Sequence, residues 1–62
     1  MRTLVVNIEY AVVRPIVLEN RISKAYPCWV SAKDINEDYF ELMVSAREED
    51  VASIEKILAQ YV

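Results

Sequence analysis

Oxygen-bearing side chains recur at every second position in one short stretch of the sequence. Asp34, Asn36 and Asp38 have the spacing of the first three ligands of an EF-hand calcium loop. Such a loop also needs a glycine at its sixth position and a bidentate glutamate at its twelfth, and those positions hold Tyr39 and Ser45. Aspartate and asparagine are equally common in tight turns, because their side chains bond to the neighbouring backbone. We therefore predict a hairpin turn at residues 34–38 and no metal site.

Other catalytic chemistries are limited by two missing residue types, since the sequence contains neither histidine nor glycine. Ser-His and Cys-His nucleophile pairs cannot form without histidine, and a phosphate-wrapping loop requires glycine. The single cysteine, Cys28, has apolar neighbours and is interpreted as a core residue rather than a reactive thiol. Glu9 and Glu41 are expected on an open sheet face, where solvated carboxylates fit better than an acid–base pair. We expect no enzymatic activity and no cofactor.

The length of the chain predicts one small domain, residues 1–62, with limited stability. A chain of this size buries only about 60% of the surface that its unfolded form exposes. A hydrophobic content of 55% nevertheless argues against disorder. One cysteine cannot form an internal disulfide, so a reducing, cytoplasmic location is expected, and oligomerisation becomes the most plausible stabilising device. No apolar run approaches the roughly 20 residues of a membrane span, so no membrane partner is expected.

The net charge of −3 is unevenly distributed along the chain. Residues 1–26 carry a balance of +2, and residues 27–62 carry a balance of −5. We interpret this difference as two solvated helices of complementary charge lying side by side. Neither half has the dense basic stripe that nucleic-acid binding requires.

Hydrophobic periodicity predicts five elements in the order β-α-β-β-α. Alternating apolar residues predict strands at residues 3–10, 28–33 and 39–46, and helical spacing predicts helices at residues 14–25 and 48–61. The hairpin between the second and third strands and a right-handed crossover between the first two place the third strand in the middle. The predicted fold is an α+β two-layer sandwich, a three-stranded antiparallel sheet of order 1-3-2 with both helices on one face.

Local signals mark the ends of both helices. Pro15 suits a first helical turn, because its missing N–H needs no partner there, and Pro27 ends the helix before it. Ser45 and Glu48 could form a capping box at the start of the second helix. Leu42 and Val44, on the central strand, are expected to be fully buried.

Two segments carry a resemblance at the level of the overall plan. Residues 13–16 place a proline at the opening of the first helix, and residues 40–44 lead into a helix that starts with acids. With the β-α-β-β-α order, the chain resembles small ferredoxin-like regulatory modules of the ACT and NIL type, without their last strand. The resemblance implies a self-associating, ligand-sensing module and assigns no ligand residues.

The face of the sheet opposite the helices is the best candidate for a binding surface. Val5, Trp29, Tyr39 and Met43 are expected there, and together they present more apolar surface than a monomer usually exposes. In the alternative interpretation, Trp29 folds back over the sheet edge and shields it. The first strand also lacks the proline or lysine that commonly protects an edge from pairing with another strand.

These observations predict a small non-enzymatic protein-binding or regulatory domain that self-associates or docks on a larger protein partner. The alternative is a small-molecule-sensing module whose ligand lies at a dimer seam. A weak nucleic-acid binder is the third possibility, disfavoured because acids on the open face would repel phosphate.

Overall fold

Alternating apolar residues form a three-stranded antiparallel sheet in the computed structural model, which describes all of residues 1–62. The strands are β1 (Arg2–Glu9), β2 (Cys28–Asp34) and β3 (Tyr39–Ala46). Strand β3 pairs with β1 on one side and with β2 on the other, which gives the sheet order β1-β3-β2. The predicted α+β fold and strand order are confirmed.

Two helices cover one face of this sheet. Helix α1 (Pro15–Ala25) crosses from β1 to β2, and helix α2 (Glu48–Leu58) follows β3. Leu18 and Ile22 of α1 are completely buried, and so is Ile54 of α2. These helix residues share one core with the even-numbered residues of the strands, so both helices lie on the same side, as predicted.

The core is small and centred on β3. Leu42 and Val44 are fully buried, as predicted. Every even-numbered position of β3 is buried, whereas the corresponding positions of β1 and β2 are mostly half-buried because those strands form the sheet edges. The buried residues are Ile8, Leu18, Ile22, Phe40, Leu42, Val44, Ala46, Val51, Ile54 and Leu58.

Five of the ten element boundaries agree with the predicted ones, four differ by one residue, and the end of α2 differs by three. The helix ends at Leu58 rather than at residue 61. Beyond it, the Gln60 N–H donates to the Ile57 carbonyl at 3.2 Å and the Tyr61 N–H donates to the Leu58 carbonyl at 3.0 Å. These bonds span three residues, so the chain tightens into turns after the helix.

The predicted capping box at the start of α2 is wrong. Ser45 still belongs to β3, and its hydroxyl pairs across the sheet with the Thr3 hydroxyl at 3.0 Å. Arg47 occupies the N-cap position and supplies no side-chain cap, because its guanidinium instead binds Asp50 at 3.1 Å. The strand extends too far for Ser45 to reach the helix.

The turn between β2 and β3 forms the predicted hairpin at residues 34–38. The side-chain oxygen of Asn36 accepts hydrogen bonds from the backbone N–H groups of Asp38 at 2.8 Å and Tyr39 at 2.9 Å. An asparagine side chain thus organises the turn. No residue has a positive φ angle, and every peptide bond is trans. Neither helix is long and apolar enough to cross a membrane.

Candidate binding surface

The odd-numbered residues of all three strands point away from the helices and form the face that we call the open face. The two strand registers pair odd residues with odd residues, so Thr3 lies opposite Ser45, and Ser45 lies opposite Trp29. No element of the chain covers this face, and most of its side chains are exposed. The structure therefore places all of the predicted surface residues on one side of the sheet.

Large apolar side chains on the open face are strongly exposed. The exposed fraction is 76% for Trp29, 51% for Val5, 41% for Met43 and 40% for Tyr39. An indole ring folded over the sheet edge would lose much of its accessible surface, so the interpretation of Trp29 as a shield for that edge is wrong. Trp29 instead projects into solvent.

Three of these four side chains lie close together. Met43 on the central strand is directly opposite Val5 in β1. Trp29 is opposite Ser45 and is therefore the diagonal neighbour of Met43, a separation that large side chains can bridge. We call Val5, Trp29 and Met43 the Trp29 cluster.

Tyr39 lies apart from the Trp29 cluster. It is four residues from Met43 along β3, a Cα separation of roughly 13 Å, and Glu41 lies between them on the same face. Its partner across the sheet is Glu9. The sequence placed Tyr39 on the correct face, but the register shows that it belongs to the acidic end of that face.

Polar groups surround the Trp29 cluster. Thr3 and Ser45 share their hydroxyl hydrogen bond at one end, and Lys33 lies opposite Glu41 at the other. An apolar centre with a polar border is the usual anatomy of a protein-binding patch. The arrangement provides contact area and hydrogen-bonding groups.

The chain also contains a groove that the sequence did not indicate. It lies beside β1, mainly on the helix side of the sheet, and has a volume of about 270 Å³. Six apolar residues and one acid line it: Leu4, Val5, Val6, Leu58, Ala59, Val62 and Glu55. Its walls come from a strand and from the last turn of a helix about fifty residues later. The only indication of this groove in the sequence was that β1 is an edge strand without proline or lysine.

A second depression lies at the β2 side, where α1 begins. Its volume is about 280 Å³, and it is bordered by the charged residues Glu19, Lys33 and Asp34. Tyr10 and Phe40, whose ring centres are 5.1 Å apart, form part of its wall. Charges of both signs border the depression, so it does not select strongly for anions or for cations.

Cys28 is half-buried at the start of β2, and its sulfur lies 3.9 Å from the Ile22 carbonyl oxygen. Burial raises the pKa of the Cys28 thiol, and the negative charge of Asp50 raises it further. A raised thiol pKa leaves little of the reactive thiolate at neutral pH. The environment of Cys28 is therefore that of a packing residue.

The sheet order and the two helices define the chain as an α+β two-layer domain with one uncovered face. No family model matches the chain, and comparisons with curated proteins and with solved structures give no match.

Proposed function

We propose that this chain is a non-enzymatic protein-binding or regulatory domain that docks on protein partners through its open face. The observation that carries the proposal is the Trp29 cluster, in which Met43 lies opposite Val5 and diagonal to Trp29 and all three remain exposed. Partners include larger proteins and, as developed below, a second copy of the chain. The lone cysteine supports a reducing, cytoplasmic setting as part of this proposal.

The composition of the cluster favours a protein partner over other ligands. Tryptophan buries up to about 250 Å² when it enters an interface, and it is enriched among the residues that contribute most to binding energy. Methionine adapts its shape to a partner surface. Glu9 and Glu41 lie on the same face and would repel a phosphate backbone, which disfavours nucleic acid.

The second candidate, a small-molecule-sensing module with a ligand at a dimer seam, makes a different prediction. A ligand that binds only the folded state raises the melting temperature, and the stabilisation grows with the logarithm of the ligand concentration relative to its Kd. A thermal-shift screen with amino acids and nucleotides therefore separates the two functions. A protein-binding domain should respond to none of these compounds.

The proposal is tested by affinity capture from a native lysate with three baits. These are the wild type, the Trp29→Ala variant and the Ile16→Ala variant. Ile16 is a matched control, because it is 58% exposed but lies on α1, away from the open face. We expect Trp29→Ala to reduce recovery of the specific partners by at least about tenfold, since a buried tryptophan commonly contributes this much. Ile16→Ala should recover them normally.

Identical partner recovery by all three baits would show that the open face does not bind proteins. Far-ultraviolet circular dichroism and a melting curve for each bait exclude loss of binding through unfolding. Both substitutions remove an exposed side chain, so both variants are expected to fold.

A further inference from the structure

The free edge of β1 is the least protected backbone in the molecule. The Tyr10 N–H donates to the Asp38 carbonyl oxygen at 2.9 Å, and these two residues continue the register in which β1 pairs with β3. Hydrogen-bonded pairs alternate along an antiparallel ladder, so the even-numbered residues of β1 direct their backbone groups toward β3. The N–H and C=O groups of Thr3, Val5, Asn7 and Glu9 therefore point outward, where no strand of the chain receives them.

Nothing in β1 blocks the approach of another strand. Proteins commonly protect such edges with proline, lysine, a bulge or a covering element. Strand β1 contains no proline or lysine, and its unbroken register with β3 from Arg2 to Glu9 leaves no bulge. The other edge of the sheet differs, because β2 is preceded by Pro27 and contains Lys33.

We propose that a second copy of this chain pairs with this edge, β1 against β1 in antiparallel orientation, to form a continuous six-stranded sheet. This inference rests on the proposed function, since it names one of the partners of the domain. The two-fold axis runs through Val6 and perpendicular to the sheet. Thr3 then lies opposite Glu9 of the second copy, and Val5 lies opposite Asn7.

The register through Val6 follows from the positions of the outward groups. It pairs every outward-facing residue of β1 with another outward-facing residue, so each pair exchanges two hydrogen bonds. A two-fold axis through Val5 would instead place Glu9 opposite Met1, which lies outside the strand. An axis through Val6 satisfies the whole edge.

Charge disfavours the parallel orientation. Arg2 and Glu9 lie at opposite ends of β1 and on opposite faces of the sheet, and Arg2 forms an ion pair with Glu48 of its own copy at 3.6 Å. Parallel pairing in register would place Arg2 beside Arg2 and Glu9 beside Glu9, whereas the proposed register places them opposite Tyr10 and Thr3 of the second copy. Within the paired strands, no two residues of like charge are directly opposite.

The groove adds apolar surface beside the edge hydrogen bonds. A stable dimer buries about 800 Å² per subunit, about one fifth of the 4203 Å² that this chain exposes. The groove walls, Leu4, Val6, Leu58 and Val62, flank the middle of β1, which is where the two-fold axis passes. The grooves of the two copies therefore meet at the axis, on the helix side of the sheet.

The open face remains available in this dimer. A two-fold axis perpendicular to the sheet keeps both open faces on the same side, and β2 becomes the outer strand at each end. The two copies of Trp29 then stand at opposite ends of a continuous surface, so the dimer would present two binding patches to a partner.

The first experiment measures the dimer dissociation constant by sedimentation for the wild type, Asn7→Pro and Ala32→Pro. Proline at position 7 removes an outward N–H without breaking the β1–β3 ladder, and edge positions tolerate proline. Because of the two-fold axis, the substitution removes two equivalent hydrogen bonds from the dimer, so the dissociation constant should rise at least about tenfold. Ala32→Pro is the matched control, because Ala32 has the equivalent outward position on the β2 edge, and it should dimerise normally.

The second experiment uses a Cys28→Ser background and a new cysteine at Val6 or Leu4. Val6 would meet its own copy at a non-hydrogen-bonded position, where Cα atoms are about 4.5 Å apart and a disulfide can form. Mild oxidation should therefore link the Val6→Cys protein into covalent dimers. The Leu4→Cys protein should not be linked, because its two copies lie roughly 13 Å apart in this register.

A wild type that remains monomeric at high micromolar concentration would overturn the inference, and so would a dimer that Val6→Cys does not link. A dimer abolished by Trp29→Ala but unaffected by Asn7→Pro would also overturn it, while supporting the proposed function through the open face. Retention of lysate partners by a strictly monomeric protein would likewise leave the proposed function standing. The two proposals therefore fail by different results.

Discussion

Leu42 is the residue on which the core depends most. It is fully buried at the middle of the central strand, with Val6 on one neighbouring strand and Ala32 on the other. Its side chain contributes to the single cluster that joins both helices to the sheet. Only ten of the 62 residues are buried, so each buried side chain accounts for a large share of the hydrophobic stabilisation.

The Leu42→Ala substitution should lower the free energy of unfolding by about 2–5 kcal/mol, because it removes buried methyl groups and leaves a cavity. A chain of 62 residues has a total stability of roughly 3–9 kcal/mol, so the substitution should remove about half of it. Met43→Ala is the matched control, since Met43 is adjacent in β3 but 41% exposed. Urea titration measures both, and similar midpoints for the two variants would contradict the central role of Leu42.

The two helices begin in different ways. Helix α2 has Glu48, Glu49 and Asp50 in its first turn, where acids interact favourably with the positive end of the helix dipole. Both helices have an arginine N-cap that makes no capping hydrogen bond, Arg14 in α1 and Arg47 in α2, but α1 has no acid in its first turn. The start of α1 is thus the weaker of the two helix ends, although Pro15 fixes the backbone there.

Replacing Arg14 with asparagine should raise stability by about 1 kcal/mol, because an asparagine side chain can accept a hydrogen bond from the exposed N–H groups of the first turn. The backbone at position 14 already has the extended geometry of an N-cap, with φ −83° and ψ 145°. The melting temperature should rise by about 4–8 °C. Arg14→Ala removes the same charge without adding an acceptor, so equal gains in the two variants would assign the effect to charge alone.

At the scale of the whole molecule, the domain is elongated and its core is thin. Its dimensions are 33 × 17 × 16 Å, and the sheet is covered by helices on one face only. Small domains of this kind are often stabilised by disulfides, metals or association. The exposed β1 edge and the open face give association two separate surfaces, so this molecule should gain stability from its partners.

The melting temperature should therefore increase with protein concentration. For a chain that unfolds from a dimer, a hundredfold rise in concentration adds about 1.4 kcal/mol per subunit, which corresponds to roughly 5–10 °C for a domain of this size. Differential scanning calorimetry across this range measures the effect. Asn7→Pro should melt at a temperature that changes little with concentration. A wild type with the same flat response would show that no dimer contributes to stability.

Alternation along the strands predicted both sheet faces, because a period of two assigns every side chain to one face or the other. The hairpin and the right-handed crossover predicted the sheet order. The alternating pattern could not predict which residues of the open face are neighbours, since this depends on the register that places Met43 beside Val5. The start of α2 at Glu48 was predicted correctly, but the capping box that was expected there does not form. The hydroxyl of Ser45 had two possible partners, and the sheet supplied Thr3.

The β1 groove was also beyond the reach of the sequence. Leu4 and Val6 appear in the sequence as ordinary inward residues of a strand, and they remain only half-buried because β1 is an edge strand. A helix continued to residue 61, as its periodicity predicted, would have suggested fuller coverage of this edge. A sequence predicts the end of a helix poorly when no glycine or proline follows the last turn. Neither residue follows Leu58.

The backbone without glycine or positive φ angles has a consequence for the unfolded chain. A typical protein of this length would contain about four glycines, and each glycine replaced by a residue with a side chain, at a compatible position, favours folding by about 0.4–1 kcal/mol through the lower entropy of the denatured state. Every turn in this molecule uses conformations that ordinary residues adopt without strain. The denatured ensemble is therefore unusually stiff, and it loses less conformational entropy when the chain folds. This smaller entropy loss offsets part of the hydrophobic stabilisation that a core of only ten buried residues lacks.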